Sequence, residues 1–199
     1  MKCAYELNID VSGVRKELNS LSRKEGDMSS TFADCFWTEY QSEFTKFFGE
    51  SILRDVRIMQ MSHNETYSWH VDIQYPRAEN GDWPNSDQGL PVYCIEATCI
   101  NILLSEPCGD MTYWAYDTNL AKTPYDKTWK TSHLRNYKLI DAFEMKDKAT
   151  VIDTGTWHMV KSNNDPSRPR KIASFLIWPL VSFRSIIEHC RDKGVLIER

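Results

Sequence analysis

The amino-acid sequence predicts a mainly β protein with flanking helices, its strands arranged as a sandwich or a jelly roll. From residue 53 onward, short runs rich in β-branched and aromatic residues follow one another with no helical period between them. Turn-forming sequences separate the runs, among them Cys108-Gly109-Asp110 and Asp153-Thr154-Gly155. Helical periods occur only before and after this region. The lack of crossover helices favours antiparallel sheets over a parallel α/β sheet.

Size and composition indicate one soluble domain covering residues 1–199. The chain is long enough for one well-buried core and short for two, and 41% of its residues are hydrophobic. A net charge of -4 gives no general reason to expect binding to nucleic acid or to a membrane. The N-terminus has no signal-peptide core, and the apolar run 172–183 is shorter than the roughly 18 residues of a membrane span. We therefore expect a cytoplasmic protein with reduced, mostly buried cysteines.

Residues 1–52 are expected to form helices that pack on the sheet. Apolar residues recur at intervals of four and three in the first helix: Leu7, Val11, Val14, Leu18 and Leu21. Ser12 is the candidate N-cap of this helix, and Gly26 is the candidate residue that ends it. If the helix begins at Ser12, Leu7 precedes the helix. A second helix is predicted from about Thr31 to Phe48, with an aromatic stripe that faces the core.

Eight strands are predicted in the core region, residues 53–180. They span Arg54–Met61, Thr66–Ile73, Val92–Leu104, Met111–Asp117, Tyr137–Phe143, Thr150–Asp153, Trp157–Lys161 and Lys171–Trp178. Two long polar stretches, Gln74–Pro91 and Asn119–Asn136, interrupt them. The second is basic, which fits either a solvated surface or an anion-binding loop. Residues 181–199 carry a last helix, Ser182 to Lys193, ended by Gly194.

The candidate metal ligands begin with His70 and Asp72. Side chains at i and i+2 of a strand share a face, so an imidazole and a carboxylate at this spacing can bind one metal ion. About 0.4 such pairs are expected by chance, so the pair alone is a weak signal. A rival pair, His63 and Glu65, lies in a polar sequence typical of a turn. His70 lies in a β-type run with hydrophobic flanks, which favours the later pair.

A second histidine would complete two imidazoles and one carboxylate, a set that leaves open positions and suits non-haem Fe(II). His158 follows a predicted tight turn at the start of a strand, whereas His133 lies in a polar loop and His189 on the last helix. The alternative for His158 is a buried histidine that is satisfied by a hydrogen bond.

A cation at the entry to the last strand could bind an acidic cosubstrate. Arg170 shares a strand face with Ser174, the more polar face, and Lys171 points the opposite way. A buried guanidinium is costly unless it is paired, and a dicarboxylate would supply a bidentate partner. Strand parity favours Arg170, with Arg168, Lys171 and a merely solvated strand entrance as alternatives.

Taken together, these residues resemble the HxD…H…R signature of the Fe(II)/2-oxoglutarate-dependent dioxygenases. The motif residues are His70, Asp72, His158 and Arg170. The segments 100–104, 109–114 and 151–160 are similar to middle and late strands of that family, and the likeness covers roughly residues 54–179. One departure is that some members have Arg-x-Ser on the last strand, whereas here the serine is Ser174.

The resemblance implies a double-stranded β-helix of the cupin-like jelly-roll type. It implies Fe(II) bound by the His/Asp/His triad, and 2-oxoglutarate bound to the iron with its 5-carboxylate on Arg170. Ser174, Asn101 and Tyr113 are implied as further cosubstrate contacts. Oxygen would be consumed, with release of succinate and carbon dioxide.

The resemblance also implies an oxidoreductase, and Asp72 bears on the type of oxidation. Halogenating members resemble this site but carry a small residue in place of the carboxylate, so Asp72 favours hydroxylation or a related oxidation such as desaturation. The substrate stays open between a free amino acid, a peptide side chain, a nucleobase and a natural product. The basic loop mildly favours an anionic small molecule or peptide. Two other functions remain: a non-catalytic jelly-roll protein that binds a ligand or partner, and a cupin-type metalloenzyme independent of 2-oxoglutarate.

Overall fold

A computed structural model describes residues 1–20, 29–32, 53–61, 66–70, 98–118, 136–162, 170–177 and 183–198. Within these ranges lie ten strands and two helices. They are β1 Ala4–Leu7, α1 Ser12–Ser20, β2 Ser29–Phe32, β3 Leu53–Met61, β4 Thr66–His70, β5 Thr98–Leu103, β6 Met111–Asp117, β7 Tyr137–Glu144, β8 Ala149–Asp153, β9 His158–Lys161, β10 Arg170–Ile177 and α2 Phe183–Asp192. The prediction of a mainly β protein is confirmed.

The strands form two antiparallel sheets. The large sheet has the order β1-β8-β5-β10-β3-β2, and the small sheet has the order β4-β9-β6-β7. The pairings β6–β7, β5–β8, β4–β9 and β3–β10 are nested around the β6–β7 connection. The chain therefore folds back on itself and changes sheets as it winds, an arrangement consistent with the predicted jelly roll.

All eight predicted strands are present, with ends within one residue wherever the described ranges allow comparison. The predicted extensions over residues 71–73 and 92–97 lie outside the described residues. Hydrophobic runs predict these strands because most strands bury at least one face against the core.

Alternation along the strands divides the core into layers. Ile100 and Ile102 belong to a cluster on the outer face of the large sheet. Their neighbours Cys99 and Leu103 point the other way, toward Trp114 and Phe143 of the small sheet. The space between the sheets is therefore a packed interior, in which Trp114 is fully buried.

Both helices contribute to the cluster on the outer face of the large sheet. Val14 of α1 and Ile186, Ile187 and Cys190 of α2 belong to it, together with Phe175 of β10. The helix α1 begins at Ser12 as predicted, but the capping oxygen is that of Asp10, which accepts from the Ser12 amide at 2.9 Å. This bond lowers the pKa of Asp10, since it favours the charged carboxylate.

The end of α2 is a Schellman motif. Gly194 has φ 68, its amide bonds to the carbonyl of Arg191, and the Val195 amide bonds to the carbonyl of Cys190. The predicted stop at Gly194 is confirmed, because a left-handed residue at this position lets two otherwise orphaned carbonyls accept hydrogen bonds.

The N-terminal region differs from the expected helical support. Leu7 lies in β1, which pairs with β8, and Thr31 and Phe32 lie in β2, which pairs with β3. The predicted helix start at Thr31 is therefore wrong, because this polar and β-branched stretch extends the edge of the large sheet. The rest of that helix, residues 33–48, lies outside the described residues. Among the described helices none is long and apolar enough to cross a membrane.

Candidate functional site

His70 and His158 face each other across the pairing of β4 and β9. They are register partners, and their ring centroids lie 4.2 Å apart with an interplanar angle of 53°. Residues directly opposite in an antiparallel pair project to the same side, so the two imidazoles share one face. The structure thus brings together two side chains that are distant in the sequence.

That face is the interior between the sheets. His158 is also the register partner of Trp114, which contacts the large-sheet residue Cys99 in the interior cluster. Trp69, next to His70, belongs instead to a cluster on the outer face of the small sheet. His158 is 4% exposed and His70 is half-buried, so the pair lies inside the barrel with His70 nearer the solvent.

The ring orientation of His158 is set by its own turn. Its Nδ1 lies 2.9 Å from the carbonyl oxygen of Thr156. A carbonyl oxygen only accepts, so Nδ1 carries the hydrogen and donates it. In the neutral ring the lone pair then belongs to Nε2, the form in which histidine binds metals.

Two of the three predicted metal ligands are therefore brought together, and their chemistry fits a transition metal such as iron. The third, Asp72, lies outside the described residues, as do His63 and Glu65 of the rival pair. Within the described ranges no group of three or more His, Cys, Asp or Glu side chains forms a complete metal site.

Arg170 lies at the first position of β10 and is 5% exposed. Its Nη2 lies 3.1 Å from the sulfur of Met145, and it is on the same strand face as Ile172, which packs with Met145 in the interior. The guanidinium therefore projects into the space between the sheets, as strand parity predicts. Lys171, on the opposite face, is half-buried, and Arg168 lies outside the described residues.

The charge of Arg170 acts on a buried neighbour. Burial raises the pKa of the Cys108 thiol, Asp110 contributes in both directions, and Arg170 opposes the increase. A cation that is buried this deeply needs anionic or polar partners. The surroundings of Cys108, near the start of β10, therefore contain buried groups of both charges, Arg170 and Asp110.

A row of buried polar residues crosses the inner face of the large sheet. Asn101 is the register partner of Ser174 on one side and of Thr150 on the other. Glu6 of β1 pairs with Thr150 and ends the row at the sheet edge. All four are at most 5% exposed. The side-chain oxygen of Asn101 accepts no hydrogen bond within the described part of the chain, so a polar group is buried there without its usual partner.

Tyr113 is not brought to this interior. It is the neighbour of Trp114 on β6 and points to the opposite side, where it packs against the cluster of Trp69 and Ala115. The side chain therefore lies on the outer face of the small sheet, because successive residues of a strand alternate. The expected cosubstrate contact from Tyr113 is not supported by this placement.

Sequence reasoning missed two contributors to the interior. Thr150 is fully buried in the polar row, but threonine is common in strands and gives no signal of its own. The sequence indicates only a turn at Asp153, yet its carboxylate accepts three hydrogen bonds in the turn that precedes His158. An acidic residue at the start of a tight turn was the available signal.

No protein-family model matches the chain, and no curated protein is similar to it. Many solved structures match the chain, and three of them illustrate the range of names. One is the non-haem α-ketoglutarate-dependent carbocyclase SnoK of nogalamycin biosynthesis, which is 10% identical in sequence. The match covers 84% of this chain and 74% of SnoK, with a TM-score of 0.47. A 2OG-Fe(II) oxygenase-family oxidoreductase from Burkholderia pseudomallei is also 10% identical. That match covers 84% of this chain and 77% of the oxidoreductase, with a TM-score of 0.47. HygX from Streptomyces hygroscopicus, with nickel and 2-oxoglutarate bound, is 10% identical. The match covers 87% of this chain and 80% of HygX, with a TM-score of 0.46. Since these TM-scores are below 0.5, the fold assignment rests on the strand pairings of this chain.

Proposed function

We propose that this protein is an Fe(II)/2-oxoglutarate-dependent oxygenase. The observation that carries the proposal is the His70–His158 pair, in which two imidazoles face each other in the interior at 4.2 Å between centroids. The hydrogen bond from Nδ1 of His158 to Thr156 leaves Nε2 as the nitrogen with the lone pair. The nested pairing around β6–β7 supports a double-stranded β-helix as the scaffold.

Asp72 is proposed as the third ligand. It follows His70 by two residues, so continuation of the extended backbone of β4 would place its carboxylate on the same face as the imidazole. Two histidines and one carboxylate leave coordination positions for other molecules, a set typical of non-haem iron oxygenases.

Arg170 is proposed as the anchor of the 5-carboxylate of 2-oxoglutarate. A buried guanidinium on the inner face gives a bidentate partner for a carboxylate. Ser174 and Asn101, paired across β10 and β5, would line the same interior and donate further hydrogen bonds. Bound iron and 2-oxoglutarate would supply the oxidation with oxygen as co-reactant. The residues of this chain hold and orient these groups and exclude water.

The reaction is proposed as a hydroxylation or a related oxidation such as desaturation. The proposed type of oxidation rests on Asp72, because a carboxylate ligand fills the coordination position that a halogenating site would leave for halide. The substrate is proposed as a small molecule or a peptide, with succinate and carbon dioxide as coproducts.

Anaerobic titration with Fe(II) and then 2-oxoglutarate tests the metal and the cosubstrate separately. We expect one iron per chain and a weak visible charge-transfer band once 2-oxoglutarate is added. His70→Ala and His158→Ala should each abolish iron binding and the band. His63→Ala is the matched control and should retain both.

The other outcomes assign the alternatives. Tight iron binding with no band would remove the cosubstrate and favour a cupin-type metalloenzyme. If the folded protein binds no stoichiometric iron, the proposed enzyme activity is contradicted. The remaining alternative is then a non-catalytic jelly-roll protein that binds a ligand or partner. If His63→Ala loses iron and His70→Ala does not, the metal belongs to the earlier pair.

A further inference from the structure

The turn between β8 and β9 is organised by one carboxylate. Oδ1 of Asp153 accepts from the amides of Gly155 and Thr156, at 3.0 and 3.1 Å, and Oδ2 accepts from the hydroxyl of Thr156 at 2.7 Å. Three hydrogen bonds to one charged acceptor constrain the turn more than a neutral Asx turn would, because bonds to ionised groups are stronger.

The same turn is fixed to the small sheet through its backbone. The indole nitrogen of Trp114 donates to the carbonyl of Asp153 at 2.7 Å, and the amide of Ala115 donates to the carbonyl of Trp157 at 3.0 Å. Trp114 is fully buried, so the first of these bonds has a rigid donor. Hydrogen bonds to the small sheet therefore fix both ends of the segment from Asp153 to Trp157, and the bonds to the Asp153 carboxylate fix its middle.

Thr156 connects this braced turn to the metal-ligand candidate. Its amide and hydroxyl both donate to Asp153, and its carbonyl accepts from Nδ1 of His158 at 2.9 Å. The position of that carbonyl decides which ring nitrogen of His158 keeps the hydrogen. It also decides how the ring is turned about its side-chain bonds.

We propose that Asp153 is a positioning residue for His158. It holds the Thr156 carbonyl where that oxygen selects the Nδ1–H tautomer and directs Nε2 toward His70. The role as a metal-site device rests on the proposed function, but the tautomer and ring orientation are properties of the metal-free protein. Loss of a group that bonds directly to a ligating histidine typically costs about 10–100-fold in metal affinity. Asp153 acts one bond further away, through Thr156, so the loss expected for it is smaller.

The tautomer of His158 is measured by nitrogen-15 NMR of histidine-labelled, metal-free protein, and Ni(II) affinity by calorimetry. We expect wild type to show the Nδ1–H tautomer. Asp153→Ala should give a mixture of tautomers and a Ni(II) affinity lower by up to about tenfold, because Asp153 acts on His158 only through Thr156. Thr156→Val, which removes one of the three bonds, should show a smaller change in the same direction, and Thr156→Ser should restore wild-type behaviour.

Thr154→Val is the matched control within the same turn. The Thr154 hydroxyl lies 3.8 Å from the Cys99 sulfur, so its loss leaves the three bonds to Asp153 intact. If Asp153→Ala does not fold by circular dichroism, the Thr156→Val and Thr156→Ser pair decides the question. A wild-type tautomer in folded Asp153→Ala, or equal effects of Thr154→Val and Thr156→Val, would overturn the inference. Lack of Ni(II) binding by wild type would instead count against the proposed function, while the tautomer still decides the role of Asp153.

Discussion

At the scale of single residues, burial of polar groups distinguishes the interior of this barrel from an ordinary core. Arg170, Asn101 and Ser174 are each at most 5% exposed, on the inner face of the large sheet. Native cores bury few polar side chains unless these are satisfied or functional. Their concentration on one face supports the proposed contacts with 2-oxoglutarate.

Arg170 and Lys171 can be separated by substitution. Arg170→Gln should raise the KM for 2-oxoglutarate by at least about 30-fold, since truncating one partner of a buried charge pair costs roughly 2–5 kcal/mol. Arg170→Lys should raise it less, by about tenfold, because the ammonium keeps the charge and loses the bidentate geometry. Succinate formation against 2-oxoglutarate concentration measures both.

Lys171→Gln is the control, since Lys171 is on the opposite strand face and is half-buried. The KM of the Lys171→Gln variant for 2-oxoglutarate should stay near that of wild type. In all three variants, the affinity for Fe(II) without 2-oxoglutarate should be unchanged. A large increase for Lys171→Gln alone would move the anchor to Lys171.

At the scale of elements, the end of α2 is determined by hydrogen bonds that the glycine at position 194 predicts. Gly194 ends α2 in the left-handed region, and the following Val195 is buried in the outer cluster. Hydrophobic contact after the glycine is typical of this motif. The motif thus joins the C-terminal chain to the large sheet as well as stopping the helix.

Gly194→Ala should lower the free energy of unfolding by roughly 1–2 kcal/mol, because a non-glycine residue is strained in the left-handed region. No atom lies within 4 Å of an added Cβ, so the cost is backbone strain and not a clash. Denaturant unfolding followed by circular dichroism measures it. Lys193→Ala, at the exposed neighbouring position, should change stability by less than about 0.5 kcal/mol. Equal losses for the two variants would contradict the conformational explanation.

Sequence patterns predicted the strands better than the sites. Runs rich in β-branched and aromatic residues located all eight core strands, because such residues are favoured along the whole length of a strand. The parity of β10 also placed Arg170 inside. Tyr113 lies on the outer face of the small sheet, which a strand assignment alone does not predict. Thr150 and Asp153 were missed, since their roles depend on register and turn geometry that no local pattern contains.

At the scale of the whole molecule, two thiols report on cooperativity. Burial raises the pKa of Cys190 to about 12, and burial together with Asp153 and Asp141 raises the pKa of Cys3 to about 12. Cys3 lies in the interior cluster and Cys190 on α2, against the outer face of the large sheet. Both are protonated and inaccessible in the folded protein at neutral pH.

Pulse alkylation should therefore label Cys3 and Cys190 only on unfolding, and at equal rates if both layers unfold together. Peptide mass spectrometry after a graded series of denaturant concentrations measures each site. Both should be labelled fully in denaturant. Faster labelling of Cys190 under native conditions would show instead that α2 detaches on its own.

The nested pairing around β6–β7 has a consequence for the order of assembly. Pairing of β6 with β7 closes the shortest loop, and each outer pairing closes a longer one at a greater entropic cost. His70 and His158 meet only in the third of these closures, so a partly folded chain presents no paired imidazoles. Under the proposed function, the iron site would therefore assemble late in folding, after most of the strands have paired.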